Sequence, residues 1–279
     1  MLQSKSGIIL RRLATSLLRI ALMLVVGLAA YFKLFGNRLI FYPETAIAAV
    51  PHIPYDDVTF TAGDGTKLNG WFMPFTATDK VFVISHGNAG NIGDRSEMGE
   101  YVSLEFRSSV FMYDYRGYGR SEGKPSESGL YSDLRGALRY VRARGYALDK
   151  IYLMGQSLGT AVTVEVASQE DVAGIILEAP FPGVRELARS YTFSIPVDYF
   201  LSARFDSASK IQAVRAPIAV IHGRRDPVIP FLLGQQLFDI ATGPKQFFTV
   251  EGEIHEGALM ALGVEQTRQL REFLFKKNK

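Results

Sequence analysis

Cysteine is absent from this chain of 279 residues, which excludes disulfides, thiolate metal sites and a cysteine nucleophile without selecting a compartment. Acidic residues are absent before Glu44, where Lys5, Arg11, Arg12, Arg19, Lys33 and Arg38 are the only charges. Those residues contribute +6 to a net charge of +3, so the remainder of the chain carries −3. The basic character therefore belongs to the N-terminal segment, and a nucleic-acid partner, which would need a basic face on the folded domain, is not expected. No stretch rich in Pro, Gly or Ser and no internal repeat divides the chain, so one large domain with a substantial core is expected. No residue spacing resembles a metal site or a phosphate-binding loop, and Gly117-Tyr118-Gly119 is too short for a dinucleotide fingerprint, so neither metal nor cofactor is expected. Histidine is scarce as well, with only four: His52, His86, His222 and His255.

What is present at the N-terminus is apolar. Ile20 to Phe32 carries no charge, and extension to 13–35 adds only Arg19 and Lys33. Roughly 23 residues of helix, about 35 Å, would cross a hydrocarbon core of about 30 Å. The expectation is a basic N-terminus at 1–12, a transmembrane signal-anchor helix at 13–35 and a connecting segment at 36–57. A single-pass protein follows, with the bilayer as a partner, and the excess of basic residues before the span places the N-terminus in the cytoplasm and the catalytic domain on the non-cytoplasmic side. A cleaved signal peptide is the alternative, because Gly27, Ala29 and Ala30 are small residues of the kind a signal peptidase accepts.

Beyond the anchor, Val58 to Phe60 and Leu68 to Phe75 read as an antiparallel hairpin turned at Gly63-Asp64-Gly65. Short apolar runs then follow at 81–85, 110–113, 151–154, 174–177, 218–221 and 246–250, of the kind buried in parallel sheets. Amphipathic or polar segments at 97–106, 129–144, 158–168, 231–241 and 258–276 separate most of them. This alternation predicts an α/β domain at 58–279, a mostly parallel sheet with helices on both faces. Reactive groups in such sheets gather at the carboxyl ends of the strands.

Gly155-Gln156-Ser157-Leu158-Gly159 lies at one of those ends, between an apolar run and a helix. A serine hydroxyl is a weak nucleophile, and a tight strand-to-helix turn with small flanking residues exposes it to a base. Asp226 follows the run at 218–221, and His255 follows the last run. The chain order Ser, Asp, His is the one used by hydrolases with a nucleophile on such a turn. In this reading His255 takes the Ser157 proton while Asp226 fixes its tautomer. Glu178 is the reserve acid, His222 reads as a structural residue, and Asp114 is expected to organise a loop with Arg116. The turn His86-Gly87-Asn88-Ala89-Gly90-Asn91 offers an oxyanion donor at Asn88, from backbone or side chain, and the Leu158 N–H behind the nucleophile offers a second.

From about Val58 to Phe275 the chain resembles the α/β-hydrolase superfamily. It is most similar to a membrane-anchored branch marked by a basic N-terminus, Phe41-Tyr42-Pro43, His86 to Asn91, and Tyr115 to Ser121. The resemblance implies a sheet of about eight strands and a Ser-His-Asp hydrolase, with Ser157, Asp226 and His255 at the motif positions. Relatives include depalmitoylating thioesterases, lipid esterases and serine-aminopeptidase-like proteins. Around the base, Gly252-Glu253-Ile254-His255-Glu256 departs from the Gly-Gly-x-His-Asn-like run of many relatives, which leaves the roles of Glu253 and Glu256 open.

Between Glu178 and Ile218 lie Phe181, Tyr191, Phe193, Ile195, Tyr199, Phe200 and Phe205, aromatic and apolar residues that either receive an acyl chain or pack a helix on the sheet. The expected activity is hydrolysis of a small-molecule or lipid-like ester or thioester through an acyl-serine intermediate. A serine peptidase and a non-enzymatic scaffold on the same fold are the alternatives. Oligomeric state is not readable from the sequence.

Overall fold

A computed structural model of the protein describes residues 2–76, 78–191 and 203–276. It opens on a helix of 39 residues, α1 (Leu2–Ile40), longer than the expected 13–35 span. The described α1 side chains between Gly7 and Gly27 are all exposed. Among the described residues no helix is long and apolar enough to cross a membrane. Every window of 18 side chains between Gly7 and Gly27 includes Arg11, Arg12 and Arg19, and a guanidinium at the centre of a bilayer costs about 3 kcal/mol on insertion scales. The expected transmembrane span, and with it the single-pass placement of the catalytic domain outside the cytoplasm, is overturned.

After α1 come β1 (Tyr42–Pro43), β2 (Asp56–Thr61), β3 (Lys67–Met73), β4 (Val81–Ser85) and β5 (Ala89–Gly90). Then follow α2 (Ser96–Phe106), β6 (Ser109–Tyr113), α3 (Glu127–Ala143), β7 (Ile151–Gln156), α4 (Leu158–Ala167) and β8 (Gly174–Glu178). The chain ends with α5 (Val184–Tyr191), β9 (Ile218–Gly223), α6 (Phe231–Ile240), β10 (Lys245–Val250) and α7 (Val264–Phe275). The main sheet has 8 strands in the order β10-β9-β8-β7-β4-β6-β3-β2. Among the described residues the antiparallel pairs of this sheet are β2 with β3 and β3 with β6. The last helix begins later than the expected 258, because Ala258 to Leu262 forms turns and Gly263 caps the helix.

Side chains alternate across the pleat, so each strand feeds two cores. Val83, Leu153, Ile175 and Val220 pack with Leu134 of α3, Val162 of α4 and Leu237 of α6. On the opposite face Phe82, Ile84, Met154, Ile176 and Ile221 pack with Val102 of α2 and Leu270 of α7. The central strand β4 pairs with β6 on one side and β7 on the other, so the strand order reverses there. A crevice opens at such a switch point.

Two glycines allow the turn from β7 into α4. A Cβ on Gly155 would lie 2.3 Å from the Gly159 carbonyl oxygen, and one on Gly159 would lie 2.0 Å from that of Ser85. Between them Ser157 has φ 50° and ψ −116°, a left-handed conformation that costs about 1–3 kcal/mol for a residue with a side chain. The Ser157 N–H donates to the Glu178 carbonyl at 2.8 Å, which ties the strained residue to the neighbouring strand.

Beside this turn lies a buried polar pair. Asp114 Oδ1 accepts the Ile92 N–H at 2.9 Å, whereas Arg116, the expected partner of Asp114, pairs instead with Asp133 at 2.7 Å and Asp64 at 2.8 Å. His86 Nδ1 lies 2.7 Å from the Gly87 carbonyl and therefore carries the ring proton, which leaves Nε2 bare and 3.6 Å from Asp114 Oδ1. Burial pushes the Asp114 carboxyl up to about 7 and drives His86 down to about 3.

Two outcomes are expected. Gly159→Ala should lower stability by about 1–3 kcal/mol or more, read from urea denaturation, because the new methyl meets backbone that cannot turn away. The Asp114 contribution, whose folded pKa exceeds its unfolded value, is fully present below pH 3.8 and lost as pH rises to about 7. Asp114→Asn does not titrate, so its stability relative to wild type should improve between about pH 4 and about pH 7, with a slope approaching about 1.4 kcal/mol for each step of one in pH. A constant difference between the two proteins would refute the assignment.

Candidate active site

Three side chains that are distant in sequence meet at the carboxyl edge of the sheet. Ser157 follows β7, Asp226 lies in the loop after β9, and His255 lies in the loop after β10. His255 Nε2 is 3.1 Å from Ser157 Oγ, and its Nδ1 is 2.9 Å from Asp226 Oδ2 and 3.1 Å from Oδ1. Ser157 is 9% exposed and borders a cavity.

Asp226 is buried and held from several directions. Its Oδ1 accepts the N–H groups of Val228 at 2.7 Å and Ile229 at 2.8 Å. Burial pushes its pKa up, but hydrogen bonds from His222, His255 and the Ile229 N–H outweigh that effect and hold it well below the usual carboxylate range. His222, expected to be structural, stands behind this carboxylate: its Nε2 is 3.0 Å from the Ile229 carbonyl and 3.4 Å from Asp226 Oδ2. Both partners accept, so Nε2 carries the proton.

Glu178, the reserve acid, is not the histidine's partner. It is buried at the end of β8, and its Oε1 accepts the Ala258 N–H at 2.8 Å, which secures the chain just after His255. Burial pushes its pKa up. The position of Glu256 is also settled: its Oε1 accepts from Arg95 Nη2 at 2.7 Å. Arg95, which the sequence did not single out, is buried between Glu256 and Gln156 and links the turn after β5 to the histidine loop. Its position just beyond the His86 to Asn91 turn was the available signal.

Asn88, Ser157, Leu158 and His255 line one cavity of about 490 Å³. Its walls are apolar, with Phe181, Val184 and Leu187 on one side and Val228 and Ile229 on another. The Asn88 side chain is not free for an oxyanion. Its Nδ2 donates to the Ile40 carbonyl, and its Oδ1 accepts from Tyr118 Oη at 3.1 Å and the Tyr42 N–H at 3.4 Å. Its backbone N–H is the remaining donor for that role. Of the expected acyl-contacting residues, Phe181 lines the cavity and the Tyr191 hydroxyl donates to the Val228 carbonyl. Phe205 is a core residue against Phe41 and Tyr131, while Phe193, Ile195, Tyr199 and Phe200 lie outside the described residues. A larger groove of about 720 Å³ lies at the amino ends of the strands, among Asp79, Lys150, Asp171 and Arg215, where ion pairs Lys150–Asp79 and Arg215–Asp171 occupy it.

Comparison with known proteins agrees with this architecture. The sequence model of the family described as serine aminopeptidase, S33 matches residues 76–203. An uncharacterized protein of Mycobacterium tuberculosis is 31% identical over 268 residues, which cover 94% of this chain and 95% of that protein. Alpha/beta hydrolase domain-containing protein 17C of Xenopus tropicalis is 33% identical over 220 residues, 75% of this chain and 66% of that protein. Among solved structures, a Pyrococcus furiosus esterase superposes with a TM-score of 0.70 at 19% identity, covering 84% of this chain and 98% of that one. An alpha-beta serine hydrolase homologue from Coxiella burnetii gives 0.59 at 22% identity, covering 80% and 97%. With the strand order, the glycine-flanked turn at Ser157 and these relatives in agreement, the chain belongs to the α/β-hydrolase superfamily.

Proposed function

We propose that this hydrolase cleaves a carboxylic ester or thioester with an apolar acyl group, through an acyl-serine intermediate formed on Ser157. The catalytic unit of this reading spans 58–279. The observation that carries it is the continuous line from Asp226 through His255 to Ser157 Oγ, ending at an apolar cavity. Ser157 Oγ attacks the acyl carbon as its proton passes to His255 Nε2. The Leu158 and Asn88 backbone N–H groups receive the carbonyl oxygen as it gains charge, an arrangement that supplies a large share of the rate in such enzymes. The imidazolium then protonates the departing alcohol or thiol. In the second half His255 takes a proton from water, the hydroxide attacks the acyl carbon, and Ser157 leaves with the proton returned from the imidazole. Asp226 stays ionised throughout, holding Nδ1–H toward itself.

The cavity favours this substrate class over a peptide with a free amine. Recognition of an ammonium group calls for an unengaged carboxylate, and the acid on the cavity wall, Glu256, is already paired with Arg95.

Purified wild type should label with a fluorophosphonate probe and turn over p-nitrophenyl esters or acyl thioesters. Ser157→Ala should abolish both, and His255→Ala should lose turnover by about a million-fold. Asp226→Asn should lower kcat by about 10⁴-fold through loss of the tautomer. Turnover that survives in Ser157→Ala would remove the mechanism. Labelling without turnover of any ester or thioester, alongside cleavage of peptides, would move the protein to the peptidase class.

A further inference from the structure

We infer that the segment Ile40–Ala46, which precedes the catalytic fold, forms one wall of the acyl cavity and sets the length of chain it accepts, with Asn88 and Asn91 as the positioning residues that hold it. The inference rests on the serine hydrolase reading of the same cavity.

Two observations carry it. The first is orientation. Phe41 is 3% exposed and packs its ring edge-on against Phe205 at 6.1 Å, so it anchors the segment in the core. Its neighbours, Ile40 at the end of α1 and Tyr42 at the start of β1, line the cavity that contains Ser157 and His255. Phe41 is buried in the core and Ile40 packs partly against it, while Ile40 and Tyr42 also border the space where an acyl group would lie.

The second is attachment. β1 pairs in parallel with β5, Tyr42 opposite Ala89 and Pro43 opposite Gly90, but two residues of ladder have little stability of their own. Side-chain amides supply what the ladder lacks. Asn88 bonds the Ile40 carbonyl and the Tyr42 N–H, and fully buried Asn91 donates to the carbonyls of Glu44 at 3.2 Å and Ala46 at 2.7 Å. The Glu44 carbonyl also accepts the Gly119 N–H at 2.8 Å, from the loop beyond β6. The segment is therefore fixed to the same turn that offers the Asn88 oxyanion donor, and the acyl wall and that donor are held as one unit.

Chain-length profiles with a constant leaving group test this. For p-nitrophenyl acetate, octanoate and dodecanoate, Ile40→Phe should lower the ratio of long-chain to acetyl kcat/KM by about tenfold or more, and Ile40→Ala should raise the relative rate of the longest chain, since about one methylene of pocket is worth at least tenfold. Asn91→Ser retains an oxygen that can cap the Ile92–Arg95 turn but loses the donors to Glu44 and Ala46. It should raise KM for the long esters more than it lowers their kcat. Thermal denaturation establishes that each variant is folded. If wild type and the folded variants hydrolyse esters with the same chain-length ratios, the wall assignment is wrong while the hydrolase reading stands. If wild type neither labels at Ser157 nor cleaves any ester, both fall together.

Discussion

The approach of α4 to the sheet is the constraint on which the rest of the molecule depends. Gly155 and Gly159 let the helix start almost in contact with the Ser85 carbonyl, and that proximity bends the chain so that Ser157 occupies a left-handed conformation. The two glycines place Ser157 beside the point where β4 changes neighbours, and the loops after β9 and β10 bring Asp226 and His255 into line with it. The hydrogen bond from Ser157 N–H to the Glu178 carbonyl balances the strain locally, and Glu178 uses its carboxylate to secure the chain after His255. One residue at the end of β8 thus holds both the serine turn and the chain after His255.

Much of the sheet was legible because buried parallel strands are short continuous apolar runs with polar helices between them. The runs at 81–85, 174–177 and 218–221 correspond to β4, β8 and β9 within a few residues. The elements that were not legible have no periodic signature. β1 and β5 are two-residue strands joined by asparagine side chains, and neither hydrophobicity nor turn chemistry marks them in advance. α5 is brief and lies in an interval dominated by aromatics. The long N-terminal helix was visible as an apolar stretch, but length and a high proportion of leucine did not make it a membrane span, because Arg11, Arg12 and Arg19 interrupt its described side chains.

The site divides similarly. Residues named from motif and order, Ser157, Asp226 and His255, lie within hydrogen-bond distance of one another, since each follows a strand that the pattern already identified. Pairings across the chain could not be read. Arg95 and Glu256 are separated by 161 positions, and no local rule couples them. Arg116 follows Asp114 closely in sequence yet pairs with Asp64 and Asp133, residues that lie 52 and 17 positions away. The Asn88 amide lay in a glycine-rich turn that suited an oxyanion donor, but it faces the segment from Ile40 to Tyr42.

The surroundings of Asp226 limit where a proton can travel. One oxygen receives two backbone N–H groups, the other lies beside His222 Nε2, and both face the imidazole of His255. Both carboxylate oxygens are already directed at donors, so in the proposed mechanism a hydrogen arriving on the imidazole from the serine would stay on the ring. In that mechanism the resulting cation would lie beside a fixed negative charge and give its hydrogen up to the leaving group.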